Sequence, residues 1–256
     1  MRNLLIDADI PAYQIAAKSE DTFDFDGDGE LAVALHPDKI AQLVEEEIAK
    51  YCKATDADRV YVCLSAPDGA YFRKELEPTY KLSRGTTRKP ELLQAVKNYL
   101  ASEYTYYVRP RLEADDIMGI LATHPKLLPG ENIMCSADKD MLTVPGLVYN
   151  PNKPKLGIRE ISPLQADRFL MWQTIVGDAT DGYPGCPGAG EKSNWADAVL
   201  QAEADELWEI VLMAYDWFDL TEEDAIHQAR LARILRACDY NFKTKKVRLW
   251  NPSKIL

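Results

Sequence analysis

Apolar residues follow two alternating rhythms over the first 150 positions. NLLID at 3–7, RVYVCL at 59–64, YTYYV at 104–108 and NIMCS at 132–136 are short, β-rich runs, the signature of strands in a covered sheet. Between them, residues 38–53, 90–103 (PELLQAVKNYLASE, with proline at the start) and 113–123 (EADDIMGILAT) carry apolar residues at helical spacing, and another short helix opens at Asp138. This alternation predicts an α/β fold with a mostly parallel sheet flanked by helices. Such sheets place ligands beyond the carboxyl ends of their strands, near a switch in strand order. Asp7, Asp68 and Asp138 each follow a predicted strand, so convergence there is expected.

After residue 150 the rhythm changes. PNKPK reads as a loop, and 163–237 is mostly helical, with one Gly/Pro-rich interruption at 177–190. The chain thus divides into a core at 1–160 and a helical region at 161–256. The basic segment YKLSRGTTRKP at 80–90 lacks apolar periodicity and reads as a mobile loop. DFDGDGE at 24–30 begins like a calcium-binding loop, but its twelfth position is Leu35 rather than glutamate, so it reads as a solvated Asp/Gly turn.

Composition narrows the class. With 46% hydrophobic and 28% charged residues in 256, the balance is that of a globular protein. Five scattered cysteines without a Cys-x-x-Cys pair favour buried free thiols over a disulfide framework or zinc site. The opening apolar run is too short for a signal peptide, and no uncharged stretch reaches membrane-spanning length. A cytoplasmic protein with no membrane partner is expected.

The net charge of −11 argues against a nucleic-acid partner only if all the acids face bulk solvent, because acids that hold cations are neutralised in the working protein. Paired acids recur at loop-to-helix junctions: Glu113, Asp115 and Asp116 in EADD, Asp138 and Asp140 in SADKD, Asp178 and Asp181 in GDATDG. Any single pair is explained as a helix cap. Several pairs, together with Asp7 and Asp68 at strand ends, would crowd negative charge unless cations were bound. Hard cations such as Mg²⁺ or Mn²⁺ take oxygen ligands, and two of them suffice for phosphodiester hydrolysis without histidine. His36, His124 and His227 show no ligand spacing and are read as surface or helix-end residues.

LLIDAD at the start, SAPDGAYFRKELEPTYKLSRG at 65–85, EADDIMGILA at 113–122, CSADKDM at 135–141 and GDATDGYPGCPGAGEKS at 177–193 resemble, in content and order, the flap endonuclease/5′-nuclease family, most closely its phage-type 5′→3′ exonucleases. The resemblance covers residues 1 to about 200. It implies a PIN-like nuclease core and, at 177–193, a helix–turn–helix hairpin that grips duplex DNA. It implies one ion held mainly by Asp7, Asp68, Glu113, Asp115 and Asp138, and another drawing on Asp116, Asp140, Asp178 and Asp181. Asp9 matches no ligand of the family and is read as a capping neighbour.

Lys81 and Arg84 match basic positions acting at the scissile phosphate, Arg73 matches one that contacts the strand, and Tyr80 lies where an aromatic stacks on a terminal base. Gly185, Gly188, Gly190 and Lys192 would meet DNA phosphates, and a potassium ion would sit on hairpin carbonyls. The implied protein is a monomeric, two-Mg²⁺ (or Mn²⁺) 5′→3′ exonuclease of phage or bacterial DNA replication. It acts on duplex ends, with flap or RNA/DNA-hybrid cleavage as further expectations. The rival readings are an RNA-cutting nuclease on the same core and a DNA-binding accessory without hydrolysis.

Overall fold

The structure is a computed structural model and describes residues 1–24, 32–82 and 88–254. Most of the Asp/Gly turn and the 83–87 part of the basic loop, including Arg84, lie outside the described residues.

Strand β1 (Arg2–Asp7) leads into helix α1 (Asp9–Lys18), then the hairpin β2 (Glu20–Phe23) and β3 (Ala32–Leu35). Helix α2 (Ile40–Thr55), strand β4 (Arg59–Leu64), short helix α3 (Phe72–Leu76), helix α4 (Leu93–Glu103), strand β5 (Thr105–Val108), helix α5 (Ala114–Thr123) and strand β6 (Glu131–Cys135) follow. A 3₁₀ turn at Lys139–Thr143, strand β7 (Gly146–Tyr149) and strand β8 (Ile158–Ile161) complete the sheet. Its order is β5-β4-β1-β6-β7-β8. All neighbours pair in parallel except β7 with β8. The α/β, mostly parallel expectation is met. The periodicity reading passed over α1, the β2–β3 hairpin, β7 and β8; these last two are four residues each, too short to show a rhythm.

Alternation along β1 assigns the two faces. Leu4 and Ile6 pack under α1, α2 and α4, whereas Leu5 faces α5 with Cys63 and Met134. The strand order turns at β1, with β4 on one side and β6 on the other, so the last residue of β1, Asp7, stands at the switch point.

Helices α6 (Pro163–Val176), α7 (Asn194–Gln201), α8 (Leu207–Trp217) and α9 (Glu222–Ala232) build a separate core around Leu170, Val199, Val211 and Ala229. The chain then returns to the sheet: Ile234, Leu235 and Tyr240 join the core beneath α5. Gly119 of α5 permits this approach, since a Cβ there would lie 2.4 Å from the Leu235 carbonyl. Arg236 fixes the return by donating to Asp167 (2.6 Å) and to the Thr143 carbonyl (2.7 Å). Among the described residues no helix is long and apolar enough to cross a membrane. Cys63, Cys135 and Cys186 are buried, but Cys52 is half-buried and Cys238 exposed, so burial holds for only part of the thiol set.

Candidate active site

The acids at the carboxyl edge of the sheet meet through short local contacts. Asp7 Oδ2 accepts from the Ser136 hydroxyl at 3.0 Å, and Ser136 Oγ accepts from Asp138 N–H at 3.1 Å. Asp138 in turn caps the 3₁₀ turn by accepting from Asp140 N–H at 2.9 Å. Burial, with the charge of Asp9 beside it, pushes the Asp7 carboxyl up to about 7. Burial and the neighbouring Asp138 push Asp140 up to about 6. Asp9 itself is held by Lys97 at 2.5 Å and by Ser65 N–H at 3.2 Å, as a neighbour rather than a member of the group.

A second group forms where α5 begins. Glu113 caps that helix, its side chain and that of Asp116 closing a capping box. Glu113, Asp115 and Asp116 offer oxygens within 4.8 Å of one another. Burial pushes the Glu113 carboxyl up, but Lys81 and Arg73 more than offset this and hold it below the usual range. For Asp115, burial and the charges of Glu113 and Asp116 outweigh the opposing charges of Lys81 and Arg73 and raise its carboxyl well above the usual range. Lys81 donates to Glu113 Oε1 at 2.6 Å and lies 3.3 Å from Asp181. It holds a left-handed backbone, with φ of 55°, while its N–H donates to the Asp181 carbonyl.

The third group is Asp140 with Asp178, bridged by Lys139 Nζ at 2.8 and 2.6 Å. Gln173 adds a 2.7 Å bond to Asp140. Burial works against ionisation of Asp178, but the hydrogen bond and charge of Lys139 hold it below the usual range. Sequence reading missed Lys139 because it sits between two acids that drew the attention.

Several expectations are corrected. Arg73 is 2% exposed and its guanidinium is fully engaged: Nε donates to the Leu231 carbonyl, Nη1 to Glu113 and Asp116, Nη2 to Asp116 and the Arg233 carbonyl. It clamps the acids and cannot reach a DNA strand. Asp116, 0% exposed, holds Arg73 with both oxygens and accepts from Leu235 and Glu113 N–H, so it braces the cluster while remaining in the acidic group with Glu113 and Asp115. Tyr80 is buried at 2%, its hydroxyl 3.2 Å from both Glu113 and Asp181; its ring is part of the core and not a base platform. Asp68 sits on an exposed turn after β4, accepting from Ala70 N–H at 3.1 Å.

The predicted hairpin lies between α6 and α7. Asp178 and Tyr183 exchange backbone hydrogen bonds across it. Gly185 takes φ of 67°, and a Cβ there would fall 2.4 Å from Gly177 N. Its N–H donates to Gln228 Oε1 at 2.9 Å, so it serves packing and is corrected as a phosphate contact. Gly188 is exposed, but a Cβ would strike the Phe218 ring at 2.6 Å. Gly190 is open, and Lys192 is exposed beside Ser193, which caps α7.

Residues 32–150 match the family model of the 5′-3′ exonuclease N-terminal resolvase-like domain. The chain is 30% identical to an exodeoxyribonuclease of Enterobacteria phage T3 over 249 residues, covering 84% of this chain and 81% of that one. It is 31% identical to an exonuclease of Escherichia phage T7 over 251 residues, covering 84% and 82%. The fold matches that of the phage T5 D15 protein co-crystallised with metal ions, with a TM-score of 0.56 at 15% identity over 91% of this chain and 86% of the other. With relatives this similar along most of both chains, the protein belongs to the 5′→3′ exonuclease family.

Proposed function

We propose that this chain is a divalent-metal-dependent nuclease that hydrolyses DNA phosphodiester bonds from duplex 5′ ends. One observation carries the reading: Glu113, Asp115 and Asp116 offer oxygens within 4.8 Å of one another, and burial, with the charge of neighbouring acids, pushes Asp7, Asp115 and Asp140 all up. All-oxygen donor sets under mutual repulsion suit hard cations. Asp7, Asp68, Glu113, Asp115 and Asp138 would hold one Mg²⁺ or Mn²⁺; Asp116, Asp140, Asp178 and Asp181 would hold another. Bound there, such ions supply activation of water and neutralisation of charge on the cleaved phosphate.

The chain's own groups do the rest. Lys81, held between Glu113 and Asp181, places a positive charge beside the acids to meet the scissile phosphate, and Arg84, which lies outside the described residues, is assigned the same role. Gly188, Gly190 and Lys192 hold the duplex backbone without reading bases, and hairpin carbonyls hold a potassium ion. In this reading residues 1–160 form the nuclease core and 161–256 the grip. The protein works as a monomer in the host cytoplasm during phage or bacterial DNA replication, on blunt or flapped ends and on RNA/DNA hybrids. The test is a 5′-labelled duplex: cleavage with Mg²⁺ and none with EDTA is expected. Binding without cleavage in Mg²⁺ overturns the reading.

A further inference from the structure

The cleft that reaches Glu113 and Lys81 extends well past the carboxylates. Its volume is about 580 Å³, within the roughly 300–1,000 Å³ of sites that bury small ligands. Lys74, Lys81, Lys89 and Lys97 line it, a concentration of positive charge in a protein of net charge −11. Two of the four are already neutralised, Lys81 by Glu113 and Lys97 by Asp9. Lys74 and Lys89 form no ion pair among the described residues. Lys74 Nζ lies 5.4 Å from the centroid of the Tyr71 ring, and ring and ammonium line the cleft together.

The cleft also has a far wall. Tyr13, one helical turn beyond Asp9 on α1, donates its hydroxyl to the Arg88 carbonyl at 3.3 Å. Arg88 binds Glu20 at 2.8 Å, and the other Glu20 oxygen accepts from Glu91 N–H at 3.0 Å. These bonds tie the chain at 88–91 to the start of the fold, so the space beyond the acids is bounded.

We infer that this cleft seats the 5′-terminal nucleotide of the strand being cut, with its terminal phosphate on Lys74 and Lys89 and its base against Tyr71. The inference rests on the nuclease reading above. A phosphate supplies the counter-charge that the two lysines lack, and stacking on an aromatic face accepts any base, as a sequence-independent nuclease requires. Bounded space next to the acids makes the released product short, and makes the terminal phosphate a recognised group.

The experiment compares duplexes that differ only in carrying a 5′-phosphate or a 5′-hydroxyl, 3′-labelled, in Mg²⁺. The protein is expected to favour the phosphorylated end by about tenfold or more in kcat/KM and to release mono- and dinucleotides. In Lys74→Ala/Lys89→Ala the ratio is expected to fall below about threefold. Titration with dAMP in Mg²⁺ buffer, followed by NMR, gives a readout independent of cleavage: shifts in the unaltered protein and none in the double variant. Equal rates on both ends, or a ratio that survives in a double variant with intact circular dichroism and duplex binding, overturn the inference and leave the nuclease reading in place. If neither end is cut, the nuclease reading fails, and absence of dAMP shifts then removes the subsite as well.

Discussion

The acids at the start of α5 and the acids at the hairpin mouth are alike in composition but not in the cation that holds them. Glu113 and Asp116 are locked by Arg73, a buried guanidinium that also grips the Leu231 and Arg233 carbonyls at the end of α9. Asp140 and Asp178 are bridged by Lys139, whose side chain is 49% exposed. A planar fork with five donors fixes both the angle and the distance of its partners, whereas a solvated ammonium holds them only as a point charge. The first group is therefore pre-organised and the second adjustable, although both belong to one crowded rim.

The largest effect should come from breaking the locked side. Arg73→Met leaves Asp116 and Glu113 buried beside each other without their shared cation, a loss of about 3–5 kcal/mol by analogy with other broken buried pairs. That is a large part of the total stability of a domain. Urea unfolding should show it as a lower midpoint; a midpoint near that of the unaltered protein would mean that the guanidinium is not a clamp. Next comes Asp138→Asn, which removes an acid from the junction of Asp7 and Asp140. Cleavage is expected to fall by about a hundredfold or more, with the metal-free fold as stable as before or more so, because repulsion is relieved. Retained cleavage would exclude Asp138 from the metal set.

What the sequence made legible follows from range. Strand-end acids announce themselves through neighbours a few residues away, and so do capped helix starts, which is why Asp7, Asp138 and Glu113 were readable. Arg73 was not, since its partners lie 43 residues on at Asp116 and 158 on at Leu231. FRKELEPTYK presents Arg73 and Lys81 as equivalent basic residues, and only the fold turns one inward and leaves the other at the acids. Phe72 and Leu76, the apolar residues around Arg73, were the available hint that this face of α3 is buried. Gly185 was legible as a special residue but not in its purpose, because backbone packed against Gly177 and backbone offered to phosphate call for the same absent side chain.

The comparison also predicts how pH acts on the metal-free protein. Asp7 is pushed up to about 7 in the fold, against about 3.9 for an unfolded aspartate. Between those values the folded state binds more protons than the unfolded one, so stability falls as pH rises through the window and is recovered as pH drops. For a single group at these values, lowering the pH from 7 to 6 should stabilise the EDTA-treated protein by about 1 kcal/mol. Thermal melts at the two pH values measure this. Mg²⁺ should flatten or reverse the slope, and Asp7→Asn should reduce it; a slope of opposite sign in EDTA would mean that the acids are not under mutual strain.

The smallest effect belongs to the adjustable side. Lys139→Met removes a half-exposed cation, and its cost to metal-free stability should stay below about 1 kcal/mol, as for other solvent-screened pairs. The sign for metal binding is the informative part. Lys139 occupies the space between Asp140 and Asp178 in which a cation would gain most, so its removal should tighten Mn²⁺ binding in calorimetric titrations even as the metal-free protein loses stability. In Arg73→Met the same titration should weaken, because the acids there lose their geometry and not a competitor. Opposite shifts from removing two cations would establish that one side of the rim is a brace and the other a placeholder; weakened binding in both variants would reduce Lys139 to a second, looser brace.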